Sequence, residues 1–125
     1  DLHCLMRLAR LLMLTSEIEA FPNVVLEAHW LGTPVVATQV GDVPEMVDHG
    51  ITGWLAPIGD IDALTAYAAR LLTDAKEAQR MGELAQQRVR SRFSQQAMAK
   101  ATLAIYHEQL ACKTRVLDER AGVQR

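Results

Sequence analysis

The chain has 125 residues, of which 50% are hydrophobic and 22% are charged, and its formal net charge is −2 at pH 7. This composition is typical of a globular domain with one small core. It excludes a membrane-spanning helix, because no apolar run approaches the roughly 18 residues that a span needs, and Arg7 and Arg10 interrupt the apolar start. Cys4 and Cys112 lack C-x-x-C spacing, which favours reduced thiols and a cytoplasmic location.

Charge is unevenly distributed along the chain. Residues 1–74 contain ten acidic and three basic side chains, whereas residues 75–125 contain five acidic and ten basic ones. The segment "RVRSRF", Arg88 to Phe93, could face nucleic acid or an anionic membrane surface. Because no aromatic residues are interleaved with the basic ones, we interpret it as a solvated helix face and expect no nucleic-acid partner. Peripheral contact with the inner face of a membrane stays open.

Hydrophobic patterning predicts strands alternating with helices, then helices alone. Three short apolar runs are predicted as buried strands, at residues 10–15, 34–38 and 52–57. Helices are predicted at residues 2–8, 22–31, 44–50, 60–72, 75–92 and 94–110. Pro22 suits a helix start, Gly32 a helix end, and Asp60 and Ser94 are predicted N-caps. The last three predicted helices each have one apolar face. These faces are Ile61, Leu64, Ala68, Leu71 and Leu72 in the helix at 60–72, Ala78, Met81, Ala85 and Val89 in that at 75–92, and Met98, Thr102 and Ile105 in that at 94–110.

Strands separated by helices indicate an α/β fold with a doubly wound parallel sheet. Three strands are fewer than the five or six usual for such sheets. We therefore interpret residues 1–112 as the C-terminal part of a larger Rossmann-like domain that ends in helices, and residues 113–125 as a polar tail.

Two loops after predicted strands form the candidate site. Ligands of open α/β sheets bind beyond the carboxyl ends of the strands, where residues 16–21 and 39–44 lie. The helix that begins near Pro22 directs free N–H groups there and favours a phosphate. Glu19 precedes this helix and Glu27 lies inside it, so two carboxylates flank an anion site. This arrangement suits a nucleotide sugar. Gly41 is the glycine best placed for a ligand loop.

The segment "EAFPNVVLEAHWLGTPVVATQVGDVPEMVDHGITGWL" resembles the C-terminal domain of the retaining GT-B glycosyltransferases, the group 1 family. The match covers Ser16 to about Pro57, and the helical spacing continues to about Tyr106. The resemblance implies that Glu19 is catalytic and binds hydroxyls of the donor sugar, and that Glu27 binds the ribose. It implies that Phe21, Asn23 and Val24 contact the sugar and diphosphate.

The resemblance also implies the reaction and its partners. The complete enzyme would transfer a hexose from a nucleoside diphosphate sugar to a sugar or lipid-linked acceptor with retention, with no cofactor. An N-terminal GT-B domain would bind the acceptor, and a basic pair upstream of this chain would neutralise the diphosphate. Ala20 and Asp42 replace glycines of the family pattern: a Cβ at Ala20 obstructs a positive φ, and Asp42 adds negative charge. His29 and Trp30 are interpreted as core variation.

Two other functions stay open from the sequence. A glycoside hydrolase also uses two carboxylates, roughly 5–10 Å apart, and a non-catalytic nucleotide-sugar-binding remnant of the fold would show no turnover. The four histidines lack ligand spacing with Cys, Asp or Glu, so no metal site is expected. Trp54, Tyr67 and Tyr106 are expected in the core or in domain contacts.

Overall fold

The computed structural model describes residues 2–93, 96 and 98–108. Within these residues the chain alternates helices and strands before ending in helices. The helices are α1 (Leu2–Leu8), α2 (Asn23–Trp30), α3 (Val43–Met46), α4 (Ile61–Thr73) and α5 (Ala75–Arg92), and residues 98–108 are also helical. The strands are β1 (Leu12–Leu14), β2 (Val35–Thr38) and β3 (Gly53–Ala56). The described residues fall into two compact units, one within Asp1–Ser91 and one within Arg92–Arg125.

The strands of the first unit form a parallel sheet in the order β1-β2-β3. Met13 pairs with Val36 in the register of β1 and β2, and Val36 pairs with Trp54 in that of β2 and β3. β2 is the central strand and all four of its residues are buried, as expected for a parallel strand that is covered on both faces. The α/β prediction with a parallel sheet is confirmed.

Helices cover both faces of this sheet. On one face, buried side chains of α2 and α3 pack against alternate residues of the strands: Val25, Ala28, Val43 and Met46 against Val35, Ala37 and Leu55. On the other face, α4 and α5 contribute Leu64, Leu71, Ala78 and Met81 against Val36 and Ala56. Because successive side chains of a strand point to opposite faces, β2 contributes to both cores.

The predicted helices match the observed ones with three differences. Pro22 is the N-cap of α2 rather than its first residue. The short helix α3 ends at Met46, before the predicted end at Gly50, because Val47 is extended. On α4 the predicted apolar stripe is too wide: Leu64 and Leu71 are buried, whereas Ile61 and Leu72 are exposed. The proposed cap Ser94, the helix end at Leu110 and the tail 113–125 lie outside the described residues.

Met98 and Ile105 of the last predicted apolar face are exposed, so that prediction is wrong, whereas the predictions for α4 and α5 that follow are confirmed. The Asp60 side chain caps α4 by accepting a hydrogen bond of 2.9 Å from the N–H of Ala63. All four residues predicted as the buried face of α5 are buried, namely Ala78, Met81, Ala85 and Val89. Trp54 and Tyr67 stack with 4.8 Å between ring centroids, so they join β3 to α4.

Candidate functional site

The site lies at the carboxyl edge of the sheet, where β1 and β2 end. The loop that follows β1 contains Ser16 and Glu19, and the loop that follows β2 contains Gly41 and Asp42. The backbones of these loops meet: the N–H of Asp42 donates a 3.0 Å hydrogen bond to the carbonyl of Ala20. Parallel strands place both loops at one edge, and this hydrogen bond fixes their distance.

Gly41 allows the two loops to approach so closely. Its φ is +51°, in the left-handed region that favours glycine. A Cβ at this position would overlap the carbonyl oxygen of Glu19 and lie 2.9 Å from that of Ala20. The structure therefore places Gly41 against the backbone carbonyl of Glu19, where a side chain does not fit. Ala20 itself has no positive φ, so the methyl group that replaces the family glycine causes no backbone strain.

Glu19 is half-buried and its carboxylate has a defined neighbour. The hydroxyl of Ser16 donates a 2.7 Å hydrogen bond to Oε1 of Glu19. Ser16 is held in turn by the buried Thr38, whose hydroxyl donates a 2.5 Å hydrogen bond to the carbonyl of Ser16. Neither Ser16 nor Thr38 was predicted from the sequence as a site residue. The i, i+3 spacing of Ser16 and Glu19 was visible, but the contact with Thr38 joins residues 22 positions apart.

Helix α2 begins beside Glu19 with uncapped N–H groups. Its N-cap, Pro22, forms no side-chain cap, and the N–H of Val25 returns to the carbonyl of Pro22 at 3.1 Å. Among the described residues, no acceptor contacts the N–H groups of Asn23 or Val24. The first N–H groups of a helix have no partner inside it and attract anions. The open helix start predicted from the sequence is therefore present, and its role as an anion site stays a prediction.

Phe21 and Glu27 complete the set of predicted residues. Phe21 is 45% exposed at the entrance to α2. Glu27 is exposed on α2 and faces α1, where its Oε2 lies 3.9 Å from Nε2 of His3. The structure thus brings together Glu19, Gly41 and the start of α2, whereas Glu27 lies farther along the helix beside α1.

A cavity of about 380 Å³ lies at the same edge of the sheet, on the side of α4. Its lining combines apolar side chains with hydroxyl groups and one carboxylate: Met13, Ile58 and Leu64 with Thr15, Thr38 and Glu17. Glu17 therefore borders this cavity, while Glu19 bonds to Ser16.

The carboxyl-terminal end of α2 holds a polar cluster that the sequence analysis missed. His29 is 1% exposed. Burial first, and the positive charge of Arg88 second, lower the pKa of His29 from 6.5 to about 4, although a backbone hydrogen bond with Thr52 raises it. Arg88 forms an ion pair with Asp48 and donates a 3.2 Å hydrogen bond to the carbonyl of Glu45.

This cluster corrects two expectations. The basic segment "RVRSRF" is not a uniformly solvated face, because Arg88 pairs with Asp48 and Arg90 lies over the ring of Trp30 at 5.5 Å. The core interpretation holds for His29 but not for Trp30, which is exposed.

The described residues contain neither a candidate metal site nor a candidate membrane-spanning helix. No group of three or more His, Cys, Asp or Glu side chains among them could hold a metal ion. None of the helices formed by them is long and apolar enough to cross a membrane.

Comparisons with known proteins agree with this fold. The family model described as glycosyl transferases group 1 matches residues 1–88. The N-acetyl-alpha-D-glucosaminyl L-malate synthase of Bacillus anthracis is 36% identical over 106 residues, which cover 85% of this chain and 28% of that protein. The sucrose-phosphate synthase of Thermosynechococcus elongatus superposes with a TM-score of 0.74 and 33% identity, over 83% of this chain and 26% of that one.

A second solved structure includes a ligand. HepE of Anabaena, in complex with UDP-glucose, superposes with a TM-score of 0.69 and 30% identity, over 78% of this chain and 29% of that one. The chain therefore spans less than a third of the length of each of these three proteins.

Proposed function

Since this chain belongs to the group 1 glycosyltransferase family and has the fold of its GT-B C-terminal domain, we propose that its carboxyl-edge loops bind a nucleoside diphosphate sugar. The observation that carries the proposal is the position of Glu19, a half-buried carboxylate held at the start of a helix. The first N–H groups of that helix, those of Asn23 and Val24, have no acceptor in the part of the chain that the structure describes. UDP-glucose in the structure of HepE supports the choice of ligand.

The diphosphate binds at the start of α2. The N–H groups of Asn23 and Val24 point outward from an uncapped helix end, and the partial positive charge of that end favours an anion. Phe21 covers the entrance and contacts the sugar or the diphosphate. Residues 1–74 contain ten acidic and only three basic side chains. The family resemblance implies a basic pair outside this chain, and we propose that this pair supplies further neutralising charge.

The two glutamates bind the two ends of the donor. Glu19 accepts hydrogen bonds from hydroxyls of the hexose, through the carboxylate lone pairs that Ser16 leaves available. Glu27 lies farther along α2 and accepts from the ribose hydroxyls. Its 3.9 Å approach to His3 exceeds hydrogen-bond length, so the ribose displaces no strong contact.

The complete polypeptide transfers the hexose with retention to a sugar or lipid-linked acceptor. The bond between the anomeric carbon and the diphosphate breaks, and the acceptor oxygen bonds to that carbon from the face that the diphosphate leaves. The proton of the acceptor hydroxyl passes to the departing diphosphate. The charge that develops on the diphosphate is the main demand on the protein, and fixed N–H dipoles meet that demand without reorganising. Another domain of the polypeptide binds the acceptor, and the reaction requires no cofactor. We assign the protein to the cytoplasm, where nucleotide sugars are available.

The test uses the intact natural polypeptide that carries this sequence. Glu19→Ala should lower transfer roughly 100-fold or more, because it removes a group that acts on the reacting sugar. Glu27→Ala should weaken donor binding about tenfold in calorimetry, the effect of losing a hydrogen bond to a charged group, with a smaller change in kcat. Glu17→Ala is the matched control, because Glu17 lies on the same loop but borders the cavity beside α4. It should keep both the transfer rate and the donor affinity.

Two results would contradict these roles. Near-normal transfer by Glu19→Ala would refute its catalytic role, and an unchanged donor affinity of Glu27→Ala would remove the ribose contact. Free sugar released without a nucleotide donor would indicate a hydrolase instead.

A further inference from the structure

We propose that Ser16 is a positioning residue for Glu19, and that Thr38 holds Ser16 in place from the end of β2. This inference rests on the proposed function and deepens it, because it assigns the geometry of the donor-sugar site to two hydroxyl groups. The evidence is a continuous chain of hydrogen bonds from the buried sheet to the Glu19 carboxylate.

The contact between Ser16 and Glu19 determines which oxygen faces the ligand. A serine hydroxyl has one proton to donate, and it donates to Oε1 of Glu19 at 2.7 Å. That length is the usual one for an O–H···O hydrogen bond. With Oε1 held, the carboxylate cannot rotate freely, and Oε2 keeps a fixed direction toward the ligand.

Thr38 connects this contact to the rigid part of the fold. It is 2% exposed and is the last residue of the fully buried strand β2. Its hydroxyl donates to the carbonyl of Ser16 at 2.5 Å and lies 3.5 Å from that of Leu14. A β-branched side chain has few χ1 rotamers in a packed sheet, so the position of Ser16 is set by the sheet.

The backbone of Glu19 is held from the opposite side. Gly41 lies against the carbonyl of Glu19, and the N–H of Asp42 donates to that of Ala20 at 3.0 Å. The residue is therefore fixed through its backbone by one loop and through its side chain by Ser16. Catalytic groups need such double support, because a misplacement of about 1 Å costs roughly 100-fold in rate.

The experiment compares hydroxyl-deleting with hydroxyl-retaining variants in the intact natural polypeptide. Ser16→Ala should lower kcat about tenfold, as expected for partial misplacement of Glu19, with the melting temperature and the donor Kd nearly unchanged. Ser16→Thr retains the hydroxyl and should recover most of the turnover. Ser91→Ala removes another serine hydroxyl, one that donates to the carbonyl of Arg88, and should leave turnover unchanged.

A second pair of variants tests the contribution of Thr38. Thr38→Val keeps the shape and loses the hydroxyl, whereas Thr38→Ser keeps the hydroxyl and loses a methyl group. If Thr38 acts through Ser16, turnover per folded molecule should fall more in Thr38→Val than in Thr38→Ser. Equal losses would indicate packing alone and would overturn the contribution of Thr38.

A double-mutant cycle separates this inference from the proposed function. In the Glu19→Ala background, Ser16→Ala should cause no further loss of turnover. Normal turnover by Ser16→Ala, or a further full tenfold loss in that background, would overturn the positioning role while Glu19 keeps its own. If the unmodified polypeptide neither binds nor uses a nucleotide sugar, the proposed function fails and the positioning role fails with it.

Discussion

The two ends of α2 differ in how their polar groups are satisfied. At its amino-terminal end, Pro22 provides no side-chain cap, and the N–H groups of Asn23 and Val24 have no acceptor among the described residues. At its carboxyl-terminal end, the N–H of Thr33 returns to the carbonyl of Ala28 at 2.8 Å, and Gln86 donates to the carbonyl of Trp30 at 2.7 Å. One end is open and the other is closed by the chain itself.

This difference indicates that one end of α2 serves ligand binding and the other serves stability. Helix ends leave unpaired groups that must be satisfied by the protein, by water or by a ligand. The closed end is attached to α5 and to the segment before β3 through His29, Arg88 and Asp48. The open end, supported by that rigid attachment, is available for the ligand. Variants at the two ends should therefore have separable effects, on transfer at one end and on stability at the other.

The largest effect is expected at the open end, from Gly41→Ala. The new Cβ would overlap the Glu19 carbonyl at a position with φ of +51°, so the loop must move and transfer should fall about 100-fold. Gly59→Ala is the matched control: its φ is +83°, but nothing lies within 4 Å of the added Cβ. It should cost only about 1 kcal/mol of unfolding free energy and keep transfer. Equal transfer rates of the two variants would contradict the close approach at Gly41.

At the closed end, Arg88→Met should lower the free energy of unfolding by about 2–3 kcal/mol. Removing one partner of a buried ion pair costs roughly 3–5 kcal/mol, and we expect less because the two side chains are 22% and 34% exposed. Arg88→Lys keeps the charge but loses the planar guanidinium that bonds both Asp48 and the carbonyl of Glu45. Its free energy of unfolding should therefore lie between those of the unmodified chain and Arg88→Met. Denaturant titration measures both variants, and donor affinity should not change. A larger donor Kd in Arg88→Met would show that the two ends of α2 are coupled.

The pH dependence of stability offers a second test of the closed end. The pKa of His29 is lowered from 6.5 to about 4 in the folded chain, so the unfolded chain binds the proton more tightly. The neutral, buried His29 therefore makes its full contribution to the free energy of unfolding above about pH 6.5. That contribution is lost as the pH falls toward 4, by about 3 kcal/mol in total. His29→Gln removes this titration, so unfolding free energy should decline less steeply between those pH values than in the unmodified chain. Identical slopes would contradict the burial of a neutral His29.

Much of the fold could be predicted from local sequence because local forces determine it. The apolar run "PVVAT" is too short for a helix and forms the central strand. Asp60 caps α4, and four small or flexible apolar residues at helical spacing form the buried face of α5. These signals depend on residues within a few positions of each other, which the sequence displays directly.

The parts that could not be predicted depend on contacts between distant residues. Arg88 looked like part of a solvated basic stripe, yet it pairs with Asp48, forty positions earlier. Ile61 and Leu72 fit the helical period of α4 but are exposed, because the side of α4 that packs on the sheet is the one with Leu64 and Leu71. In the site, the positions of Glu19 and the start of α2 followed from strand, loop and helix order. The hydrogen bond from Thr38 to Ser16 did not, because it requires the register of β1 against β2.

The proposed function requires that a nucleoside diphosphate sugar binds at the start of α2, between Glu19 before the helix and Glu27 inside it. A crystal structure of the intact polypeptide with UDP-glucose tests it most directly. We expect diphosphate oxygens within hydrogen-bond distance of the N–H groups of Asn23 and Val24, hexose hydroxyls at Glu19, and ribose hydroxyls at Glu27. A nucleotide bound elsewhere, or one that leaves the start of α2 in contact with solvent alone, would contradict it.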